Sequence, residues 1–187
     1  MEVLFLTQIN HIQNIFLSSV LEMKEIVLRR LSPSDGKDCY ELLQNIGRQE
    51  NDFTNPVHDM SFDEFKSWLQ QQDDWSKGEN LPNGYVPQVC YWLIEESTPV
   101  GFGKIRLGLT EQSRLEGGNL GYAIDSRHRG KGLGSKLLEL LVLKTKEMKL
   151  ESPLVTVKKF NYASKRVAEH NGGKLVKETE GWWYFEM

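Results

Sequence analysis

The chain has 187 residues, 26% of them charged and 10% aromatic, enough for one domain whose core needs no disulfide or metal staple. That excludes disorder, collagen-like repeats and a membrane-embedded body. Lys plus Arg number 23 against 26 Asp plus Glu, a net charge of −3 that argues against a dedicated nucleic-acid binder.

The first 22 residues, MEVLFLTQINHIQNIFLSSVLE, hold one charged residue before Glu22, and polar side chains interrupt the apolar run. This is neither a signal peptide nor a membrane span, and no membrane partner is expected. Phe5, Ile9, Ile12, Phe16 and Val20 form one apolar stripe, so residues 1–22 are predicted as an amphipathic helical extension of a domain over 23–187. Its stripe offers a surface for the domain itself or for a homodimer, and Met23 is an alternative natural start. Cys39 and Cys90 lack CxxC spacing, so no metal site is expected, two buried thiols are, and a reducing cytoplasm fits.

Lys24 to Arg30 alternates as a strand, and Ser32-Pro33-Ser34-Asp35 starts a helix carrying Cys39, Leu42, Leu43 and Ile46. Ser61 to Glu64 is a capping box for a second helix through Phe65, Trp68 and Leu69. Asp73 to Pro87 reads as loop, Gln88 to Glu95 and Val100 to Leu109 as a hairpin across Glu96-Ser97-Thr98-Pro99, and Thr110 to Gly117 as a polar loop. Then come a strand over 119–124, a long helix from about Leu133 to Lys149, a strand over 153–157, a helix over 163–171 and a strand over 182–185. The pattern is α/β to α+β: a central mixed, mostly antiparallel sheet with helices on both faces.

The most informative stretch is Asp125-Ser126-Arg127-His128-Arg129-Gly130-Lys131-Gly132-Leu133-Gly134-Ser135, between a strand and an amphipathic helix. Alternating glycines allow close backbone approach, the helix start exposes N–H groups, and three cations add charge, so a phosphate-bearing ligand is implied. Walker A fails, because no Gly-Lys-Ser/Thr closes the loop, and the dinucleotide fingerprint fails, because the glycines run GxGxG. Residues 126–149 sum to +5, which suits a polyanionic small ligand on an acidic protein.

What does match is RxxGxG, from Arg129 to Gly134, in the frame YAIDSRHRGKGLGSKLLELL. This resembles the acetyl-CoA signature of the GNAT acetyltransferase superfamily. The order of elements from about Lys24 to Met187 is similar too, as is the Asn-led helix Asn161-Tyr162-Ala163-Ser164-Lys165-Arg166-Val167-Ala168-Glu169-His170. The resemblance implies a GNAT-like fold and an N-acetyltransferase that moves acetyl from acetyl-CoA to a primary amine of a small molecule or peptide by direct transfer. It further implies that backbone groups of Arg129, Gly130, Lys131, Gly132, Leu133, Gly134 and Ser135 hold the CoA pyrophosphate. Ala123 and Ile124, with Tyr122, lie beside the pantetheine arm, and Asn161 bonds that arm.

Many family members take the leaving-thiolate proton from a Tyr seven residues after this Asn, and here that position is Ala168. Ser164 or Tyr162 stands in for it, Ser164 being favoured; a CoA-binding module without transferase activity is the alternative. Glu116 and Asp125, with Tyr122 between them, are the carboxylates near the signature strand, Asp125 being favoured as a loop cap; Glu116 and His58 are the further base candidates, and a base working through water is an alternative. Between Glu50 and Asn80 eight carboxylates face two lysines, which predicts an acidic acceptor cleft for a cationic amine, with Phe53, Trp75 and Tyr85 as an aromatic wall.

Overall fold

The computed structural model of the chain describes residues 24–51 and 53–187, so the expected helix over 1–22 lies outside the described residues, as does Asp52. β1 (Ile26–Arg30) leads to α1 (Lys37–Asn45), whose N-cap is Gly36 rather than the Ser-Pro-Ser-Asp turn before it. That turn is instead closed by buried Asp35, which accepts from Ser32 N–H (2.8 Å) and Trp92 Nε1 (2.7 Å) and pairs with Arg29. Two short strands follow, β2 (Gln49–Glu50) and β3 (Phe53–Thr54).

α2 (Phe62–Lys77) opens on the predicted capping box at Ser61 and Glu64, but runs through residues read from sequence as loop. Its last turns survive their polarity because Gln72 is buried, Asp73 pairs with Lys77 at 2.7 Å, and Gly78 closes the helix in the left-handed region. β4 (Gln88–Glu95) and β5 (Thr98–Arg106) form the expected hairpin, with a two-residue turn at Glu96 and Ser97, both at positive φ. α3 (Glu111–Leu115) is one turn of helix inside the expected polar loop, capped by Thr110 and Ser113.

β6 (Leu120–Ile124), a 3-10 turn at Ser126–His128, α4 (Leu133–Glu147), β7 (Leu154–Lys158) and α5 (Tyr162–His170) follow as expected from sequence. β8 (Lys174–Glu178) was legible in no pattern: all five residues are exposed and its register on β9 (Trp182–Glu186) is irregular, so it shows no apolar alternation.

The strands form two larger sheets, β1-β4-β5-β6 and β7-β9-β8, and every pairing in them is antiparallel. The one central sheet expected from sequence is thus divided in two, and β6 meets β7 at one end, through the Asn119 and Leu154 hydrogen bonds. One core lies on the face covered by α4 and α5, around Leu137, Leu138, Leu141, Val157 and Phe185. The other lies under α1 and α2, around Leu42, Ile46, Phe65, Trp92 and Phe102. β6 serves both, sending Leu120 and Ile124 to the first and Ala123 to the second.

Candidate active site

At the start of α4, Gly130 and Gly132 have φ of 77° and 79°, and a Cβ at either would meet nothing within 4 Å. Gly132 is the N-cap and has no side chain with which to cap, and Lys136 N–H makes the first bond back to Gly132 O, at 3.0 Å. The N–H groups of Leu133, Gly134 and Ser135 are therefore those the helix leaves without an internal acceptor. With the positive end of the helix dipole they form a concave anion cradle.

The loop before the cradle is held by Asp125, which caps the 3-10 turn by accepting from Arg127 N–H at 3.0 Å and from the Arg127 guanidinium at 2.5 Å. Burial pushes the Asp125 carboxyl up, but the hydrogen bonds from Arg127 outweigh it and hold the group below the usual carboxylate range. This candidate base is thus a loop brace. Arg129 is a second brace: its Nε donates to Ile124 O at 2.9 Å, its guanidinium pairs with Glu50, and its N–H points to Ser126 O at 3.4 Å. Lys131 is exposed and does not line the cavity beneath the loop.

That cavity has a volume of about 1210 Å³ and runs through the gap between β6 and β7. The two strands are clasped at one end, where Asn119 N–H reaches Leu154 O (2.7 Å) and Leu154 N–H reaches Asn119 Oδ1 (2.9 Å). Beyond the clasp no ladder joins them. Asp125 N–H bonds Val100 O on β5 (3.1 Å) while Ile124 O turns away to Arg129, so by strand alternation the N–H groups of Tyr122 and Ile124 face the gap and that of Ala123 faces β5.

Tyr122 OH and Ser164 Oγ meet across the gap at 2.7 Å, the first from β6 and the second from α5. Asn161 caps α5 by accepting from Ser164 N–H at 3.1 Å, which fixes Ser164 and leaves the Asn161 amide as a donor. Ala168, the position where the family's Tyr was sought, is fully buried in the core. A hydroxyl at that count from Asn161 would sit in the apolar core, while Tyr122 and Ser164 bring a hydroxyl pair to the gap. Tyr162 lines the same cavity, with its ring packed edge-on to Trp183.

The opposite mouth of the cavity holds Phe53, Lys104, Arg106 and Glu116. Glu116 is exposed at the C-cap of α3, where its carboxylate can reach solvent and the cavity. Among the described residues, the acidic cleft expected from residues 50–80 does not form there. Of those carboxylates that are described, Glu50 alone lines the cavity and it pairs with Arg129; Asp59 is held by Arg48, Asp73 by Lys77, and Glu64 by the α2 cap. The physical reason is that charges spaced along a helix and its loops face solvent, where Glu64 and Asp73 find partners within a turn and Glu50 and Asp59 are taken by arginines from elsewhere in the chain.

His58 is likewise outside the cavity, beside Asp59 at 3.4 Å, and Trp75 and Tyr85 pack on each other at 5.4 Å away from it, leaving Phe53 as the aromatic of the expected wall. Lys104 and Arg106 were not singled out in the sequence. Their signal was the period-two placement of two cations after Phe102 in an otherwise apolar strand. Both cysteines are buried free thiols pushed up to about 12, chiefly by burial, and so are chemically quiet.

The acetyltransferase (GNAT) domain family model matches residues 25–174. No curated protein matches the sequence. Among solved structures, the ribosomal-protein-S5-alanine acetyltransferase from Vibrio fischeri is similar with a TM-score of 0.67 at 14% identity, covering 89% of this chain and 94% of that one. A ribosomal L7/L12 alpha-N-protein acetyltransferase in complex with coenzyme A gives 0.64 at 16% identity, covering 87% and 93%. The Campylobacter jejuni N-acetyltransferase PseH in complex with acetyl coenzyme A gives 0.56 at 12% identity, covering 87% and 98%. With the family match spanning most of the chain and the signature loop, gap and Asn-led helix in one site, the chain belongs to the GNAT acetyltransferase family.

Proposed function

We propose that this protein is an acetyl-CoA-dependent N-acetyltransferase that acetylates a primary amine of a small molecule or peptide by direct transfer, with donor and acceptor bound together. The residues fit the donor. The α4 cradle offers backbone N–H groups with open space at Gly130 and Gly132, as a pyrophosphate requires, and the gap beyond it is long enough for an extended arm. Bound acetyl-CoA supplies an acetyl thioester as the electrophile.

The remaining work falls to the chain. Gly130 to Ser135 bind the phosphates, and the Asn161 amide orients the arm. The Ile124 N–H group, on the side of β6 that faces the gap, donates to the oxygen that gains negative charge. Tyr122 OH and Ser164 Oγ hold a proton between them for the departing thiolate, and Glu116, at the acceptor mouth, takes one from the amine directly or through water.

The observation that carries this reading is the Tyr122–Ser164 hydrogen bond, 2.7 Å long, inside the cavity whose far wall is the anion cradle. Thiol release from acetyl-CoA over a library of primary amines tests it. Amine-dependent release is expected from the wild type, and Ser164→Ala and Tyr122→Phe should each lower kcat by about 100-fold while KM for acetyl-CoA stays within a few-fold. Unchanged kcat in both variants would refute the proton-donor role. A thermal upshift with CoA but no amine-dependent release would favour a non-catalytic CoA-binding module.

A further inference from the structure

Side chains of a strand return to one face every second residue, so β5 sends Phe102, Lys104 and Arg106 to the side covered by α1 and α2. Phe102 enters the core; the two cations that follow line the cavity and are half-buried. Arg106 donates to the carbonyls of Gly117 (3.0 Å) and Gly118 (2.9 Å), which fixes the guanidinium without neutralising it. Lys104 lies across Gly121, where an added Cβ would stand 3.2 Å from its Cε, and its ammonium sits 5.2 Å from the centre of the Phe53 ring.

Among the described residues neither cation has a carboxylate within ion-pair reach. Glu50, on the same cavity, is taken by Arg129, and Glu169 by Lys165. Burial, reinforced by the Arg106 charge, pulls the Lys104 ammonium down to about 8, and burial pulls Arg106 down as well. Two like charges partly withdrawn from water on one strand face, with no described carboxylate in ion-pair reach, repel each other at a cost in stability. An anion entering the cavity offsets the burial cost by direct attraction and counters the mutual repulsion.

We propose that Lys104 and Arg106 anchor an anionic group of the acceptor, so that the amine acetylated belongs to a small molecule carrying a carboxylate or a phosphate a few bonds from its nitrogen. This rests on the N-acetyltransferase reading above and replaces the cationic, acid-attracted acceptor expected from residues 50–80. The pair is recessed behind Phe53 and Gly121, so the group that reaches it is the end of a slender molecule. Arg106 supplies a fork fixed by two carbonyls, suited to the paired oxygens of either anion, and Lys104 adds a point charge beside it.

The test uses the full chain saturated with CoA, which occupies the phosphate cradle and removes it as a competing anion site. Acetate and inorganic phosphate are titrated separately while Tm is followed, and the arm that responds identifies the anion. The proposal expects one of them to raise Tm in the wild type and in Lys104→Arg, and not in Lys104→Gln or Arg106→Gln. In parallel, thiol release is measured for matched pairs: ω-amino acids against their amides, and aminoalkyl phosphates against amino alcohols. The expected wild-type preference in kcat/KM for an anionic member is about tenfold or more, falling toward one in Lys104→Gln and restored in Lys104→Arg. Equal turnover within each pair, with the CoA-induced Tm rise intact, overturns the anion subsite and leaves the transferase standing. Loss of the CoA-induced Tm rise, or of all amine-dependent thiol release, overturns the transferase reading and this proposal with it.

Discussion

The two mouths of the cavity on either side of β6 are built on different principles. The mouth toward α4 is made of backbone: left-handed glycines, a helix start without a side-chain cap, and strand N–H groups facing an open edge. The mouth toward α1 and α2 is made of side chains from β3, β5 and the end of α3, with Phe53, Lys104, Arg106 and Glu116 converging from positions up to 63 residues apart in sequence. Backbone cradles depend on a short run of residues in one order, so a motif can encode them. Convergent side-chain walls depend on which strands pair in which register, and can change chemistry by single substitutions without disturbing the fold. On the proposed reading, donor binding and acceptor recognition thus fall on separate kinds of structure.

The comparison breaks most sharply at Gly132. It has φ 79° and ψ −5°, and a Cβ there meets nothing within 4 Å, so Gly132→Val strains the left-handed turn and fills the cradle without striking the core. A CoA affinity about 100-fold weaker is expected, the equivalent of losing two charge-assisted hydrogen bonds, and calorimetric titration reads it directly. Affinity within threefold of wild type would show that the α4 N-terminus is not the phosphate site.

Gly118 joins the two mouths and is the next largest effect. Its φ is +55°, and a Cβ would stand 2.3 Å from Leu154 O, a backbone atom held in the β6–β7 clasp, while its own carbonyl accepts from Arg106. Gly118→Val should lower unfolding free energy by about 2 kcal/mol, measured as a reduced urea midpoint, because no flexible side chain is available to give way. A neutral result would mean that the clasp yields and that the gap is not set by this contact.

Residues 125–135 and the Asn161 helix were legible because their chemistry is local: a turn, a cap and a dipole are properties of consecutive residues. The roles within them were less so. Asp125 caps the loop as its residue type suggests, but Arg129 has the charge a ligand site wants and uses it to brace the loop, a distinction that requires knowing where Ile124 O and Glu50 lie. The Tyr122–Ser164 pair joins residues 42 apart, and its formation depends on how far β7 and α5 diverge from β6. The acidic run from Glu50 to Glu79 misled because net charge says nothing about facing: Glu64, Asp73 and Asp74 find partners along α2 and its ends, while Glu50 and Asp59 are taken by Arg129 and Arg48. β8 escaped because an exposed edge strand needs no apolar alternation.

The smallest effect sharpens the acceptor side through pH. Lys104 has a folded value of about 8, lowered by burial and by Arg106, against about 10.4 for a free lysine in the unfolded chain. Between those values the unfolded state binds more protons, so this group makes stability rise with pH across that window and contributes no slope below it. Lys104→Met should therefore be more stable than wild type at pH 7, with the difference shrinking toward pH 10 as the native ammonium loses its proton. Of the groups around Lys104, Arg106 stays charged throughout, the Cys90 thiol, pushed up to about 12, stays neutral, Phe53 does not titrate, and Glu116 shares the mouth outside ion-pair reach. An anionic acceptor should lose a few-fold of its kcat/KM advantage over its neutral counterpart as pH passes 8, with nucleophile deprotonation cancelling between the pair. A bound carboxylate or phosphate raises the Lys104 value, so the loss should begin at higher pH in kcat, which reports the ternary complex, than in kcat/KM. A Lys104→Arg enzyme, whose charge does not titrate in this range, should keep its preference flat across both profiles.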